Sequence, residues 1–246
     1  MEAQTTKTSE IEKMLKAPRF QKTLALLAEQ KGENLASVSK EADEYLKELY
    51  TEHRSMSNMI LMEAAEYILG RGYDKTIDVN PDEIKQLAKL MRKHPVAFVL
   101  THKSYVDLLV LALVLARHGL PLPYMFAGIN LDLFGVGKFA RQSGVIYIRR
   151  SFKDNPVYKA TLRHFIASYL NKQAHFMWAL EGTRSRTGKL VWPQMGILKY
   201  ILEAEEDSKQ TVKYVPVSIV YDLIPDVAEM TKEGRGKEKN RKIWRG

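Results

Sequence analysis

Residues 95–119 read PVAFVLTHKSYVDLLVLALVLARHG, and the fold turns on how this stretch is read. Pro95 disfavours helix in the residue before it, so any helix arriving from upstream must stop near His94. Val96 to Leu100 is an apolar run of strand length, and its burial on both faces is implied by the lack of alternation. A polar segment starting at Thr101 breaks it. Tyr105 to Arg117 then has helical spacing, with Gly119 as its stop. A buried strand leading straight into a helix is the opening half of a parallel crossover.

The alternation continues downstream. Tyr124 to Ala127 and Val145 to Ile148 predict two more strands. Asn155-Pro156 starts a helix that runs to about Asn171. His175 to Leu180 predicts a fourth strand, Pro193 to Glu203 a helix, and Tyr214 to Val220 a fifth strand. The fold class is α/β, a largely parallel sheet flanked by helices, and ligands of such sheets bind beyond the carboxyl ends of the strands.

Upstream the reading is helical. Leu35, Val38, Ala42, Tyr45, Leu46, Leu49, Met56, Ile60, Ala64, Tyr67 and Ile68 follow the spacing of one helix face. A weaker stripe from Ile11 to Gln30 is interrupted at Pro18. A third helix starts with Asn80 as N-cap, Pro81 at the first helical position and Glu83 closing a capping box. Met56, Met59 and Met62 read as core filler rather than a lipid surface. The expected organisation is an N-terminal helical domain over residues 1–94, an α/β domain over 95–228, and a charged tail over 229–246 without assigned structure.

Composition bounds the function. The chain has 246 residues, 45% of them apolar and 27% charged, which excludes a disordered or collagen-like chain. It has no cysteine, so disulfides, thiolate metal sites and a cysteine nucleophile are excluded. The longest strongly apolar run, Leu108 to Ala116, is far short of the roughly 20 residues a spanning helix needs. The N-terminus lacks the basic and apolar regions of a signal peptide. The expected location is cytoplasmic, peripheral at the inner face of a membrane.

The net charge of +9 is unevenly placed. Residues 1–95 carry 15 Lys and Arg against 16 Asp and Glu, whereas residues 141–189 carry ten against two. Such a local excess points to an anionic partner. Nucleic acid fits poorly, because the excess falls in loops and no helix carries a basic stripe interleaved with aromatics. A phosphate ligand or anionic lipid remains.

Three strand ends carry the candidate chemistry. The first strand runs into Thr101-His102-Lys103-Ser104-Tyr105-Val106-Asp107, the third into Arg149-Arg150, and the fourth into Glu181-Gly182-Thr183-Arg184-Ser185-Arg186-Thr187-Gly188-Lys189. On one helix, His102 and Asp107 would point about 140° apart, so pairing them requires His102 in the loop and Asp107 in the first helical turn. A carboxylate fixes the tautomer of an imidazole and raises its basicity, which suits a general base. With six His and ten Asp in the chain, this spacing arises by chance in roughly one such chain in four, so it draws its meaning from context. The plainer alternative has Asp107 capping the helix and His102 as an ordinary loop residue. Guanidinium forks match phosphate bidentately, and the glycines allow close backbone approach. Solvated surface charge is the plainer alternative, but it must then explain two basic clusters at the ends of separate apolar strands. Ser104 lacks the glycine context of a nucleophile elbow and reads as a helix cap. The other histidines show no metal-ligand spacing, so no metal is expected.

Taken together, His102-Lys-Ser-Tyr-Val-Asp107, Gly128-Ile-Asn130, Gly144-Val-Ile-Tyr-Ile-Arg149-Arg150, Leu180-Glu-Gly-Thr-Arg-Ser-Arg-Thr-Gly-Lys189 and Val215-Pro-Val-Ser-Ile-Val-Tyr221 resemble the four sequence blocks of the glycerolipid acyltransferases, in order, over about residues 95–225. The match is nearest to the glycerol-3-phosphate acyltransferases, with the dihydroxyacetone-phosphate branch close behind. The resemblance implies the glycerolipid acyltransferase fold and a transferase of phospholipid synthesis. His102 would be the base and Asp107 its orienting group. Arg149, Arg150, Arg184 and Arg186 would meet the acceptor's phosphate, and Gly182, Thr183 and Ser185 would shape the loop. Glu181 would contact a substrate hydroxyl or fix the loop, and Pro216 would shape a pocket. The co-substrate would be acyl-CoA or acyl-acyl-carrier protein, with no cofactor. The alternatives are dihydroxyacetone-phosphate or 1-acyl-glycerol-3-phosphate acylation, or a non-catalytic phosphate or anionic-lipid binder. Many relatives of the glycerol-3-phosphate type continue well past the fourth block, so a truncated or minimal form is expected here.

Overall fold

The computed structural model describes residues 2–72, 76–104, 106–129, 136–149, 154–183 and 189–221. Five helices come first: α1 (Glu2–Leu15), α2 (Pro18–Lys31), α3 (Leu35–Leu49), α4 (Ser55–Gly72) and α5 (Pro81–Lys93). They are followed by β1 (Val96–Leu100), α6 (Asp107–Arg117), β2 (Tyr124–Gly128), α7 (Gly137–Arg141), β3 (Val145–Ile148), α8 (Pro156–Leu170), β4 (Phe176–Ala179), α9 (Gly196–Ser208) and β5 (Lys213–Val217). Among the described residues the pairings between these five strands are all parallel, and the order across the sheet is β3-β2-β4-β1-β5.

Side chains on successive strand residues point to opposite faces. Ala97, Phe126, Ile146, Phe176 and Trp178 join a core with α8, α9 and the N-terminal helices α1 to α3. Val96, Phe98, Leu100 and Met177 face the other way, onto Met91 of α5 and Leu111 and Leu115 of α6. α4 lies outside α6, where Ala65 and Leu69 meet Val110 and Leu113. One buried cluster therefore runs across the change of sequence pattern at residue 95.

The single helix face expected from Leu35 to Ile68 is two helices. Residues 50–54 leave the helix to pair with the segment before β3: Glu52 N donates to Arg141 O, Arg54 N to Gln142 O, and Gly144 N to Glu52 O. Tyr169 of α8 closes the break by donating its hydroxyl to Thr51 O. Tertiary hydrogen bonds here outweigh a continuous periodicity. Nor do the three methionines of α4 fill the core together: Met62 packs inward, while Met56 and Met59 are 70% and 55% exposed. α9 starts at Gly196 rather than at Pro193, because Gln194 N is bonded to Leu180 O and holds residues before it against the loop after β4. The tail over 229–246 lies outside the described residues.

The connection from β1 leaves through α6 on one face, and that from β4 leaves through α9 on the other. β1 and β4 are neighbours. Their carboxyl ends therefore form a topological switch point, where a crevice opens because adjacent loops diverge.

Candidate active site

The switch point gathers residues from three strand ends. Leu180 N donates to Leu100 O at 2.8 Å, which keeps the loop after β4 against the loop after β1. On the other side of β1, β5 runs in register with Leu100 opposite Val217.

Asp107 opens α6 and is 3% exposed. Its carboxylate does not cap its own helix. Oδ2 accepts from Lys103 N and Ser104 N, each at 2.8 Å, and so folds the preceding loop back over itself. Oδ1 accepts from the Tyr221 hydroxyl at 2.7 Å. His102 stands in that loop with Nδ1 3.7 Å from Oδ2, within ion-pair reach and slightly beyond a hydrogen bond. Burial alone would raise the Asp107 pKa. Contact with His102 and the bonds from Ser104 N, Tyr221 and Lys103 N outweigh it and hold the carboxyl below its ordinary value. The start of α6 adds the positive end of the helix dipole. The arrangement provides an ionised, fixed carboxylate behind a 20% exposed imidazole. Ser104 is buried, and its Oγ accepts from Val106 N at 3.4 Å in the turn before α6.

Glu181 follows β4 and is 4% exposed. Neither carboxylate oxygen has a hydrogen-bond partner among the described residues. A buried carboxylate is costly unless it accepts hydrogen bonds. Gly182 has φ 67°, and a Cβ there would lie 2.9 Å from Gln194 Cγ, so the tight turn needs glycine. Thr183 is exposed. Arg184, Ser185 and Arg186 lie outside the described residues, as does Arg150.

Arg149 follows the edge strand β3, three strands from β1 and so about 14 Å away along the sheet. Its Nε donates to Glu48 Oε1 at 2.9 Å and one terminal nitrogen donates to Oε2 at 2.6 Å. The guanidinium also lies over the rings of Tyr45 and Tyr158, at 4.7 and 5.2 Å. Pairing with Glu48 raises its pKa further. Pro216 is exposed on the edge strand β5, opposite Val99, where a missing N–H is tolerated. The fold thus brings His102, Asp107 and Glu181 together and sets Arg149 at the rim. Tyr221 and Glu48 are absent from the sequence-derived set. Tyr221 closes the fourth sequence block, but the role of neither residue is marked locally, because each is defined by a partner about 100 residues away or more.

Residues 80–220, more than half of the chain, match the Acyltransferase family model. The chain belongs to the acyltransferase family. Within this acyltransferase the matched segment holds the switch point with His102, Asp107 and Glu181, while Tyr221 and Glu48 lie outside it. The chain is also 37% identical over 231 residues to the protein named "Putative acyltransferase plsB1" of Mycobacterium bovis (strain ATCC BAA-935 / AF2122/97). The proteins of the same name from Mycobacterium tuberculosis strains CDC 1551 / Oshkosh and ATCC 25618 / H37Rv give the same identity. These alignments cover 94% of the acyltransferase chain, which spans just over a third of the length of these curated relatives. No described helix is long and apolar enough to cross a membrane.

Proposed function

We propose that this acyltransferase moves a fatty acyl group from a thioester, acyl-CoA or acyl-acyl-carrier protein, to a hydroxyl of glycerol 3-phosphate, an early step of phospholipid synthesis. The observation that carries the reading is the 3.7 Å approach of His102 Nδ1 to the buried Asp107 at the switch point. With Nδ1 turned to the carboxylate, Nε2 is the basic nitrogen. It takes the proton of the acceptor hydroxyl as the oxygen forms a bond to the thioester carbonyl carbon. The tetrahedral intermediate expels the thiolate, which takes the proton back from the imidazolium. An ester and a free thiol result, and His102 is regenerated. No covalent acyl-enzyme is needed, consistent with a chain that has no cysteine.

The acceptor's phosphate would be met by arginines after β3 and β4. Arg149 holds Glu48 through Nε and one terminal nitrogen, so its other terminal nitrogen would be the one to meet the phosphate, and the run Arg184-Ser-Arg186-Thr-Gly-Lys189 supplies three cations in six residues. Arg150 belongs to the same group by sequence. Gly182, Thr183 and Ser185 would shape this loop, Glu181 would accept from an acceptor hydroxyl or from the loop, and Pro216 would border the pocket. A small dianionic head fits this density of charge. The reaction asks for no metal or cofactor.

Anionic membrane is the expected partner surface. Leu190, Trp192 and Val220 are exposed on the segments that follow β4 and β5, on the carboxyl edge, and Trp192 reaches 88%. Lys189 adjoins them. An exposed indole beside aliphatic and basic side chains suits a lipid interface, where amphiphilic donors and products reside.

The deciding experiment is an acyl-transfer assay with both donor types against glycerol 3-phosphate, dihydroxyacetone phosphate and 1-acyl-glycerol 3-phosphate. Glycerol 3-phosphate is expected to give the highest kcat/KM. A roughly tenfold preference for another acceptor keeps the chemistry and overturns the substrate. Phosphate binding without turnover on any acceptor points instead to a binding protein.

A further inference from the structure

We infer that Tyr221 is a positioning residue for the His102–Asp107 pair, so that the strand carrying the fourth sequence block acts on the base as well as on the pocket wall. The inference rests on the acyl-transfer reading above. β5 lies parallel to β1, with Val217 opposite Leu100. Four residues further on, the chain has followed the loop after β1 far enough to place the Tyr221 hydroxyl 2.7 Å from Asp107 Oδ1, across 114 residues of sequence.

The division of labour between the two carboxylate oxygens carries the argument. Oδ2 receives the N–H groups of Lys103 and Ser104 and faces His102. Oδ1 receives Tyr221. Bonds to one oxygen alone leave the carboxylate able to swing about its last torsion, which is broad in Asp. A donor on the second oxygen fixes the plane and keeps Oδ2 aimed at the imidazole. The donor is itself held in place, because Tyr221 packs on the cluster of Ala65, Leu69, Val110 and Leu113 between α4 and α6. A phenol suits the position. It brings a proton to an ionised acceptor without bringing a charge that would compete with His102 for the carboxylate. A purely structural tyrosine would satisfy the same packing, and the two roles differ in what the loss of one oxygen atom does to turnover.

Tyr221→Phe removes that oxygen and keeps the ring. A positioning role predicts that kcat falls roughly tenfold while KM for acceptor and donor stays within about twofold, because the loss is confined to the reacting base. The thermal midpoint should move by a few degrees at most. The effect should also vanish where its target is absent: in an Asp107→Ala background, Tyr221→Phe should cost less than about twofold. A kcat for Tyr221→Phe within about twofold of wild type, or an equal fold loss in both backgrounds, overturns the inference. His102→Ala assayed alongside separates this from the parent reading. Turnover that survives in folded His102→Ala overturns both, whereas an inactive His102→Ala beside a fully active Tyr221→Phe overturns only the role of Tyr221.

Discussion

The Arg149 guanidinium and the Glu48 carboxylate meet at two points, at 2.9 and 2.6 Å, although 101 residues separate them. The pair joins the end of β3 to α3, and the rings of Tyr45 and Tyr158 lie against its cation. This gives Arg149 a second task beside phosphate recognition. A bidentate, half-buried pair with aromatic neighbours stabilises more than a loose surface pair. Arg149→Ala should therefore destabilise the fold by about 1–2 kcal/mol and also lower kcat/KM for glycerol 3-phosphate about 10- to 100-fold. Arg184→Ala should lower kcat/KM similarly, whereas the added loss of stability is argued for Arg149 from its pair with Glu48. Urea denaturation checks the contrast, and a double-mutant cycle with Glu48→Ala should give a coupling of about 1 kcal/mol. Equal unfolding free energies for wild type and Arg149→Ala would remove the strut role.

Replacing the base tests the chemistry. General-base catalysis contributes about 10²- to 10⁴-fold, so His102→Ala should lose turnover by that factor or more and remain folded, since the loop adds little core. Asp107→Asn should be comparably severe, because an amide on the Nδ1 side favours the wrong tautomer. Unlike His102, Asp107 holds Lys103 N, Ser104 N and Tyr221, so its replacement should also cost about 1–3 kcal/mol of stability. Turnover and chemical denaturation measured on the same preparations check both halves. Activity of His102→Ala within a few-fold of wild type sinks the mechanism.

How far these features are legible in the sequence depends on the range of the forces that set them. Val96–Leu100 and Val145–Ile148 are strands at the boundaries their residues predict, because Pro95 and Gly144 punctuate them locally. Asn80 caps α5 as its side chain dictates, accepting from Asp82 N at 3.0 Å. The placement of His102 in a loop and Asp107 in the first turn of α6 also follows from local pattern. The short α7 is not legible, since five residues are too few for a period. Nor is the break at residues 50–54, which depends on a segment about 90 residues away. Strand order decides that β4 and β5 flank β1, and with it that Glu181 and Tyr221 join His102. That order reflects how the crossover helices share the two sheet faces, and no single stretch encodes it.

His175 should make stability depend on mildly acidic pH. It is 5% exposed, and its Nδ1 accepts from Val96 N at 3.0 Å, which fixes the neutral ring beside the start of β1. Burial pushes its pKa from the ordinary 6.5 down to about 4. Above pH 6.5 the ring is neutral folded and unfolded, and the folded state keeps its full stability. As pH falls from 6.5 towards 4, the unfolded chain takes up a proton that the folded chain refuses, so stability is lost, by roughly 3 kcal/mol at the limit. His175→Asn keeps an acceptor for Val96 and removes the titration. The difference in unfolding free energy between wild type and variant should therefore shrink or reverse across that window in urea titrations. A difference that stays constant with pH would show that the ring does not titrate in this range.

The apolar rim of the carboxyl edge should govern lipid binding. Leu190 and Trp192 are 75% and 88% exposed, on the chain that leaves β4 beside the proposed base. Vesicles containing phosphatidylglycerol should bind the protein more tightly than vesicles of phosphatidylcholine, because the basic loops are attracted to anionic headgroups, and high salt should weaken that preference. The apolar part is separable. Each buried aliphatic or aromatic side chain contributes about 1.5–3 kcal/mol when fully transferred, so the double variant Leu190→Ser, Trp192→Ser should bind anionic vesicles at least about tenfold more weakly. Its turnover of a short-chain, water-soluble thioester should be unchanged, since neither side chain is assigned to the reaction. Co-sedimentation gives the binding, and in a Trp244→Phe background Trp192 emission should shift to the blue on vesicle addition while the buried Trp178 stays silent. Undiminished sedimentation of the double variant would mean that Leu190 and Trp192 do not carry the lipid binding.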